Sequence, residues 1–342
     1  MTDKIIGREI RLKSRPIDSL SEDNFEIVKV NIPKPKEGEI LVHSIWLSLD
    51  PHLRSYLTRG TKLRPAIELH SPIWGGCIGR VIDSHNKEYR VGDYVFGNYG
   101  WREYWISNPE NNNGIKKIDS KIAPVHWHLG LLGMSGFTAY VGLLKIGNLK
   151  DGKDVVFVSA AAGAVGSLAC QIAKIKNCYV VGSAGSEEKV KWLLDEAKID
   201  YAFNYKKLGS SNSISSELKK ACPHGIDLYF DNVGGKHLEA AIDSMNIFGR
   251  VVLCGATSTS SSAGPSNLSL AIPHRLKLQG YLFSDHYDML DEFQTEMKRW
   301  IEGEKIKWKE TIFEGLENTP KAFIGLFDGK NIGKALVKIG LD

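Results

Sequence analysis

This chain of 342 residues has few cysteines, no long apolar run and no excess of charge of one sign. Its five cysteines are scattered and form no C-x-x-C pair, which predicts reduced thiols in an intracellular protein rather than a disulfide framework. No apolar run approaches the roughly 18 residues that a membrane span needs. The first residues also lack the apolar core of a signal peptide. We therefore expect a cytoplasmic protein with no membrane partner.

The charge is nearly balanced, with 44 basic and 40 acidic residues and a net charge of +4. Both signs are spread along the chain, so the pattern does not indicate a nucleic-acid partner. Hydrophobic residues make up 42% of the sequence, which is typical of a globular protein. The length predicts about two domains with cores large enough to need no disulfides.

The clearest local pattern is a strand, a glycine turn and a helix within residues 154–176. A short β-branched and aromatic run precedes the turn AAAGAVG at 160–166, and apolar positions recur after it with helical spacing. Gly163 lets a backbone approach a pyrophosphate, and Gly166 lets helix and strand pack closely. Although Ala161 replaces the first glycine of the G-x-G-x-x-G pattern, the flanking elements predict a dinucleotide site at the helix N-terminus.

The rest of the chain divides into two kinds of pattern. Residues 1 to about 125 consist of short apolar stretches separated by glycine, proline and asparagine, which predicts a small β-barrel. From about residue 128 strands alternate with helices, and six strands are expected in one doubly wound sheet. Within this region the polar stretch 209–216 is predicted to be a loop. Residues 305–342 return to strand-like pieces and are expected to rejoin the first domain.

The end of the second strand of the alternating region distinguishes between the two nicotinamide dinucleotides. Proteins that prefer NAD place an Asp or Glu there to hold the ribose hydroxyl. Here residues 182–186 read GSAGS and contain no acid. Lys189 follows in the next predicted helix, and a lysine can neutralise a 2′-phosphate. The pattern favours NADPH over NADH.

Taken together, these blocks resemble the medium-chain dehydrogenase/reductase superfamily, in its zinc-free branch of leukotriene dehydrogenases, prostaglandin reductases and 2-alkenal reductases. The segments that carry the resemblance are GMSGFTAY (133–140), SAAAGAVG (159–166), VGSAGSEEKV (181–190), FNYK (203–206), YFDNVGG (229–235), FGRVVLCGA (248–256), LQGYLFSDHY (278–287) and NIGKALVK (331–338). The resemblance implies an α/β fold, with a doubly wound parallel six-stranded Rossmann sheet plus a GroES-like β-barrel domain. It implies a catalytic domain at 1–126, an NADPH-binding domain at 127–304 and a return to the catalytic domain at 305–342. It also implies a homodimer formed along the sixth strand.

The resemblance further implies which residues hold NADPH, because their positions match the family's motifs. They are Ala162, Gly163, Ala164 and Val165 at the pyrophosphate, Lys189 and Tyr205 at the 2′-phosphate, Asn232, Cys254, Gly255, Ala256 and Ser260 along the ribose and nicotinamide, and Tyr281, Leu282, Phe283 and Asn331 at the nicotinamide amide. The zinc branch needs an early cysteine ligand and a Gly-His-Glu segment. This chain has no cysteine before Cys77 and no such segment, so no metal site is expected.

The implied reaction is hydride transfer from NADPH to the β-carbon of an α,β-unsaturated aldehyde or ketone. It requires a hydrogen-bond donor at the carbonyl oxygen, where negative charge develops. Relatives carry tyrosines where this chain has His52 and Ser260, so the candidate donors are His52 and Ser284, with the ribose hydroxyl of the cofactor as an alternative. For His52 the favoured interpretation is a loop imidazole with no catalytic part. Two other functions stay open: an NADPH:quinone oxidoreductase of the same superfamily, and a non-catalytic NADPH-binding protein.

Overall fold

The computed structural model of the chain describes residues 4–17, 19–111, 114–121, 123–208, 211–257 and 264–341, with the backbone alone for 211–213. The chain divides into two compact units. Unit 1 comprises residues 1–129 and 310–342, and unit 2 comprises residues 130–309. Among the described residues, no helix is long and apolar enough to cross a bilayer.

The regular elements are numbered in chain order. The strands are β1 (Ile5–Leu12), β2 (Phe25–Ile32), β3 (Ile40–Ser48), β4 (Cys77–Ser84), β5 (Tyr94–Gly97), β6 (Tyr104–Ser107), β7 (Lys116–Lys117), β8 (Val155–Val158), β9 (Tyr179–Ala184), β10 (Tyr201–Asn204), β11 (Ile226–Asp231), β12 (Met245–Leu253), β13 (Lys277–Gly280), β14 (Glu310–Glu314) and β15 (Lys334–Lys338). The helices are α1 (Leu53–Thr58), α2 (Met134–Val141), α3 (Ala164–Ile175), α4 (Glu187–Asp195), α5 (Ser211–Ala221), α6 (Gly235–Ser244), α7 (Ala271–His274), α8 (Leu290–Glu302) and α9 (Thr319–Phe327).

Unit 2 contains a parallel sheet of six strands in the order β10-β9-β8-β11-β12-β13. Numbered within the sheet this is 3-2-1-4-5-6. The first three strands extend the sheet to one side of β8 and the last three to the other, so the order reverses between β8 and β11. Ligands of such sheets bind outside the carboxyl ends of the strands at that switch point. The core consists of Phe157, Val181, Tyr229 and Val251 on neighbouring strands, packed with helix residues such as Leu218. The predicted doubly wound sheet is confirmed.

Unit 1 is a mainly antiparallel, barrel-like unit, as predicted for its fold. One sheet runs β14-β15-β3-β4-β5-β7, with β6 also paired to β3, and β1 pairs with β2. Its core gathers Trp101, Leu53, Phe323 and Val337 from elements far apart in sequence. The C-terminal strand β15 pairs with β3, which fixes the last residues of the chain beside residues 46–48.

Three sequence-based predictions of local structure are wrong. The stretch 209–216 is not a loop where it is described, because α5 begins at Ser211 and buries Ile214 and Leu218 on one face. Serines mask that helical spacing in the sequence. The sixth strand, which the apolar pattern predicts over residues 276–283, ends at Gly280, so residues 281–283 lie beyond the sheet. Residues 305–342 are not only strand-like, because α9 lies between β14 and β15 and packs Phe323 into the core.

Candidate functional site

The glycine turn after β8 leaves the N-terminus of α3 open. Gly163 precedes the helix with φ −82°, and no side chain caps the helix N-terminus. A Cβ atom on Gly163 would meet a single protein atom, the carbonyl oxygen of Ala160 at 3.2 Å. The fold itself therefore does not require glycine there, whereas a phosphate approaching the N–H groups of Ala164 and Val165 would need that space. The turn thus leaves uncapped N–H groups beside a space that no side chain fills.

Gly166 has a different role in the same turn. A Cβ atom there would lie 2.3 Å from the carbonyl oxygen of Ala160 and 3.0 Å from the Cα atom of Ala161. Both contacts are to backbone, which cannot move aside cheaply. The prediction that Gly166 allows close packing of helix against strand is confirmed.

A buried carboxyl group joins the ends of β8 and β11 at the switch point of the sheet. One oxygen of Asp231 accepts hydrogen bonds from Tyr229 Oη at 2.7 Å, Gly234 N at 2.8 Å and Val233 N at 3.0 Å, and Ser159 Oγ lies 3.3 Å away. Burial raises the pKa of Asp231 above its ordinary value, and these hydrogen bonds oppose that effect. The network fixes the loop that carries Asn232.

Asn232 is held with its amide in one orientation. Its Nδ2 donates to the carbonyl oxygen of Ser159 at 2.8 Å, and its backbone N–H donates to Ser159 Oγ at 3.0 Å. The amide oxygen therefore remains to accept a hydrogen bond from a hydroxyl group. Next to it, a Cβ atom on Gly255 would lie 3.0 Å from the carbonyl oxygen of Asn232. The loop after β12 thus approaches the loop after β11 at backbone distance.

Cys254 and Tyr281 lie together at the ends of β12 and β13. Burial raises the pKa of the Cys254 thiol to about 11, so the thiol is protonated near neutral pH. The Tyr281 hydroxyl donates to the carbonyl oxygen of Thr138 at 2.7 Å and fills the space above Gly142. Because that hydroxyl already donates its hydrogen to Thr138, it could only accept a hydrogen bond from a ligand.

The tip of β9 brings basic side chains together with two acids, Glu187 and Glu188, that begin the next helix. Lys189 lies in α4, whose N-terminus is capped by Ser186, and its pKa is lowered first by desolvation and then by the charge of Lys206. The side chains of Tyr205 and Lys206 lie over Gly185, with Tyr205 Oη 3.5 Å from the position of a Cβ atom there. Burial raises the pKa of Tyr205. Lys206 thus lies beside Tyr205 over Gly185 and interacts with Lys189, while the phosphate roles of Lys189 and Tyr205 stay predictions.

Lys206 is the residue that the sequence analysis missed. It belongs to the FNYK segment, but the segment alone does not tell which of the consecutive Lys206 and Lys207 faces the strand tip. The deciding signal is the hydrogen bond from Lys206 N to Asn204 Oδ1 at 3.1 Å, which caps a short 3₁₀ turn after β10. That turn cannot be placed from spacing alone.

The remaining predicted site residues of unit 2 differ in their exposure. Ala256 is exposed in the loop after β12, and Ala162 is buried in the turn after β8. Leu282 and Ser284 are exposed beyond β13, and the Phe283 ring makes an edge contact with Phe137 at 6.1 Å. Ser260 lies outside the described residues.

In unit 1, the segment that contains His52 rests on a buried ion pair. Lys334 Nζ lies 2.5 Å from Asp50 Oδ1 and donates to the carbonyl oxygen of Leu49 at 3.2 Å. Ser48 Oγ donates to the other oxygen of Asp50. Burial works to raise the pKa of Asp50, but Lys334 outweighs it, so that the pKa lies below its ordinary value. The pair anchors the backbone immediately before His52.

Two aromatic rings lie beside His52. The Tyr56 and Trp74 ring centroids are 4.8 Å apart, and each lies 6.2 Å from the His52 ring. The Arg64 guanidinium lies over the Trp74 ring at 4.3 Å. Desolvation lowers the pKa of His52, while Asp50 opposes the shift. A neutral imidazole still donates one hydrogen bond, so His52 retains a donor above its pKa.

Asn331, the last predicted cofactor residue, belongs to unit 1. Its Nδ2 donates to the carbonyl oxygen of Gly333 at 2.7 Å, which leaves its amide oxygen as acceptor. Among the described residues, no cluster of three or more His, Cys, Asp or Glu side chains could hold a metal ion.

Comparison with known proteins places these features in a family. A family model described as "N-terminal domain of oxidoreductase" matches residues 8–115, and one described as "Zinc-binding dehydrogenase" matches residues 164–302. The chain is 38% identical to a 2-alkenal reductase (NADP(+)-dependent) from Nicotiana tabacum over 347 residues, covering 99% of each chain. It is 37% identical to an NADPH-dependent curcumin reductase from Escherichia coli over 340 residues, covering 97% of this chain and 96% of that protein.

A solved structure gives the same result. The crystal structure of CurA from Vibrio vulnificus, in complex with NADPH, superposes with a TM-score of 0.90 at 38% sequence identity. The match covers 98% of this chain and 100% of the other. Both units are therefore shared with a protein that binds this dinucleotide.

Proposed function

Since the chain belongs to the zinc-independent branch of the medium-chain dehydrogenase/reductase family, we propose that it reduces the carbon–carbon double bond of α,β-unsaturated aldehydes and ketones. It is an NADPH-dependent oxidoreductase, because the named relatives use this cofactor. The lysines Lys189 and Lys206 near the tip of β9 are consistent with that cofactor. Unit 2 is proposed as the cofactor domain and unit 1 as the catalytic domain. NADPH supplies a hydride to the β-carbon, and a proton from the protein or water completes the saturated carbonyl product.

The observation that carries the cofactor part of the proposal is the open turn at Gly163; the substrate class rests on the named relatives. There the N-terminus of α3 has no side-chain cap and the glycine has space that the fold does not use. In the proposed complex, the N–H groups of Ala164 and Val165 bind pyrophosphate oxygens, and Asn232 accepts a hydrogen bond from a ribose hydroxyl. Cys254, Gly255, Ala256, Leu282 and the backbone of Tyr281 and Phe283 are proposed along the nicotinamide end. Asn331 is proposed at the nicotinamide amide, because its side chain retains an acceptor.

Negative charge develops on the substrate's carbonyl oxygen when hydride reaches the β-carbon. A donor placed at that oxygen lowers the barrier, and removing one such donor typically costs 10²–10³ in kcat. His52 and Ser284 are the proposed donors. His52 is the stronger candidate because the Asp50–Lys334 pair holds the backbone next to it in place. Ser284 lies on an exposed turn, where nothing described fixes its hydroxyl.

The test is a comparison of substrates with NADPH as reductant. trans-2-Nonenal, 3-nonen-2-one, benzylideneacetone and menadione are supplied separately, NADPH consumption is followed by absorbance and products are identified by mass spectrometry. We expect saturated carbonyl products, with deuterium from C4-labelled NADPH at the β-carbon. His52→Gln and Ser284→Ala each report whether that donor acts, through a fall in kcat at unchanged NADPH affinity.

Two outcomes would contradict the proposal. Reduction of menadione far faster than any enone would make the protein a quinone reductase. Tight NADPH binding with no oxidation across the panel would make it a binding protein without turnover.

We further propose a homodimer along β13, which is an edge strand of the sheet in unit 2 and has unpaired backbone groups. Light scattering after size-exclusion chromatography measures its mass.

A further inference from the structure

We propose that Lys206 is a second cation for the 2′-phosphate of NADPH, and that its neighbour Lys207 neutralises Glu187 at the start of α4. The proposal rests on NADPH as the cofactor and goes beyond the assignment of Lys189 and Tyr205. Two consecutive lysines would then serve opposite partners: Lys206 the ligand, and Lys207 the protein's own carboxylate.

The position of Lys206 follows from the absence of a side chain at Gly185. A Cβ atom on Gly185 would lie 3.3 Å from Lys206 Cε and 3.5 Å from Tyr205 Oη. Both side chains therefore cover this glycine, directly after the end of β9. In NAD-preferring sheets the acid that holds the ribose hydroxyl occupies this end of the strand. Here a lysine stem and a phenol occupy the space that such a side chain would need.

Two lysines approach this tip from neighbouring elements. Lys189 is half-buried in α4, and Lys206 comes from the turn after the neighbouring strand β10. The charge of Lys206 is among the causes that lower the pKa of Lys189, after desolvation, and the charge of Glu188 opposes it. The two lysines are therefore close enough to interact, and a phosphate dianion at this tip would be attracted to both.

Glu187, one of the two acids at the start of α4, is paired with groups of the protein. Glu187 begins α4 near the same tip, where its charge would repel a phosphate. Lys207 Nζ lies 2.9 Å from Glu187 Oε1, and Asn204 Nδ2 donates to the same oxygen at 3.1 Å. These two contacts lower the pKa of Glu187, so it stays ionised and paired. Asn204 serves both sides, because its Oδ1 accepts from Lys206 N.

The experiment measures NADPH and NADH binding by fluorescence titration in full-length variants. A charge-assisted contact is worth roughly 10- to 100-fold in affinity. Lys206→Ala is expected to weaken NADPH binding by at least about 10-fold and to leave NADH binding within about 2-fold. Inhibition by 2′,5′-ADP should weaken in parallel, while inhibition by 5′-ADP should not. Lys206→Arg should retain most of the affinity for NADPH.

Lys207 gives a graded comparison. Lys207→Ala releases Glu187 and is expected to weaken NADPH binding less, by about 2- to 5-fold, as for an exposed charge. The double variant with Glu187→Gln should recover the loss. Lys191→Ala, which removes the exposed partner of Asp195 further along α4, is the matched control and should change neither cofactor.

Equal losses for NADPH and NADH in Lys206→Ala, or no loss for either, would overturn the proposal. Binding is measured without a carbonyl substrate, so the result is separate from the proposed reaction. Wild-type protein that binds NADPH but reduces no enone would contradict the reductase proposal and leave the role of Lys206 to be decided by the titrations.

Discussion

The candidate cofactor region of unit 2 and the His52 region of unit 1 are built on different principles. In unit 2 the important features are backbone features: the open N–H groups of α3 and the missing Cβ atoms of Gly163 and Gly166. In unit 1 they are side-chain features: a buried ion pair, Asp50–Lys334, and a cluster of rings around His52. A backbone site is sensitive to atoms that are added, whereas a side-chain site is sensitive to atoms that are removed. Substitutions of each kind test this difference.

The largest effect is expected from adding one methyl group at Gly166. In Gly166→Ala the new Cβ atom would lie 2.3 Å from the Ala160 carbonyl oxygen, so the turn or the helix must move. We expect a loss of several kcal/mol of unfolding free energy or failure to fold, since overpacking against backbone cannot be relieved by a rotamer change. Chemical denaturation followed by circular dichroism measures it.

Gly163→Ala is the matched variant, because it adds the same atom three residues earlier. Its Cβ atom would meet only Ala160 O at 3.2 Å, so the stability should change by less than about 1 kcal/mol. NADPH binding should nevertheless weaken by 10-fold or more, because the methyl group occupies the phosphate cradle. If Gly163→Ala and wild type bound NADPH equally, the cradle would be wrongly placed.

The second effect concerns the ion pair of unit 1. Lys334→Met leaves the carboxylate of Asp50 buried without its cation, and removing one partner of a buried pair costs about 3–5 kcal/mol. The double variant Asp50→Asn/Lys334→Met should recover much of that loss, because no charge remains buried. Urea denaturation of the two single variants and the double variant measures the coupling. A loss of less than about 1 kcal/mol in Lys334→Met would mean that the pair does not hold the His52 segment.

The same contrast explains what the sequence could predict. The turn at 160–166 was recognisable because two spaced glycines lie between a strand pattern and a helix pattern; the packing of the turn requires the glycine at 166, and a bound phosphate would require the one at 163. The six-stranded sheet was recognisable from the alternation of strands and helices. The sequence did not connect Trp74 with His52, because the path of the long loop between α1 and β4 brings their rings together and spacing does not reveal that path. Lys206 was not distinguished from Lys207, because a 3₁₀ turn decides which side chain faces Gly185.

The third effect is a pH dependence within unit 2. Burial lowers the pKa of His237 to about 4, and its Nε2 has no hydrogen-bond partner among the described residues. The folded-state pKa lies below the unfolded value of about 6.5, so the unfolded chain binds the proton first as pH falls. Stability should decline from about pH 6.5 to pH 4, by up to about 3 kcal/mol. His237→Met should remove this part of the decline. An unchanged slope of melting temperature against pH would show that other groups cause it.

The smallest effect tests whether the rings around His52 select substrates. If enones bind beside His52, as the proposed function requires, an aryl group would lie near Trp74 and Tyr56, whose ring centroids are each 6.2 Å from the His52 ring. An aromatic contact is worth about 0.5–1.5 kcal/mol, so Trp74→Leu should lower kcat/KM for benzylideneacetone by about 3- to 10-fold. The value for 3-nonen-2-one should change by less than about 2-fold, because its alkyl chain gains nothing from a ring face. Trp74→Phe should restore the preference for the aryl substrate. Equal losses for both enones would mean that Trp74 acts only by packing. The rings around His52 would then stabilise unit 1 without selecting the substrate.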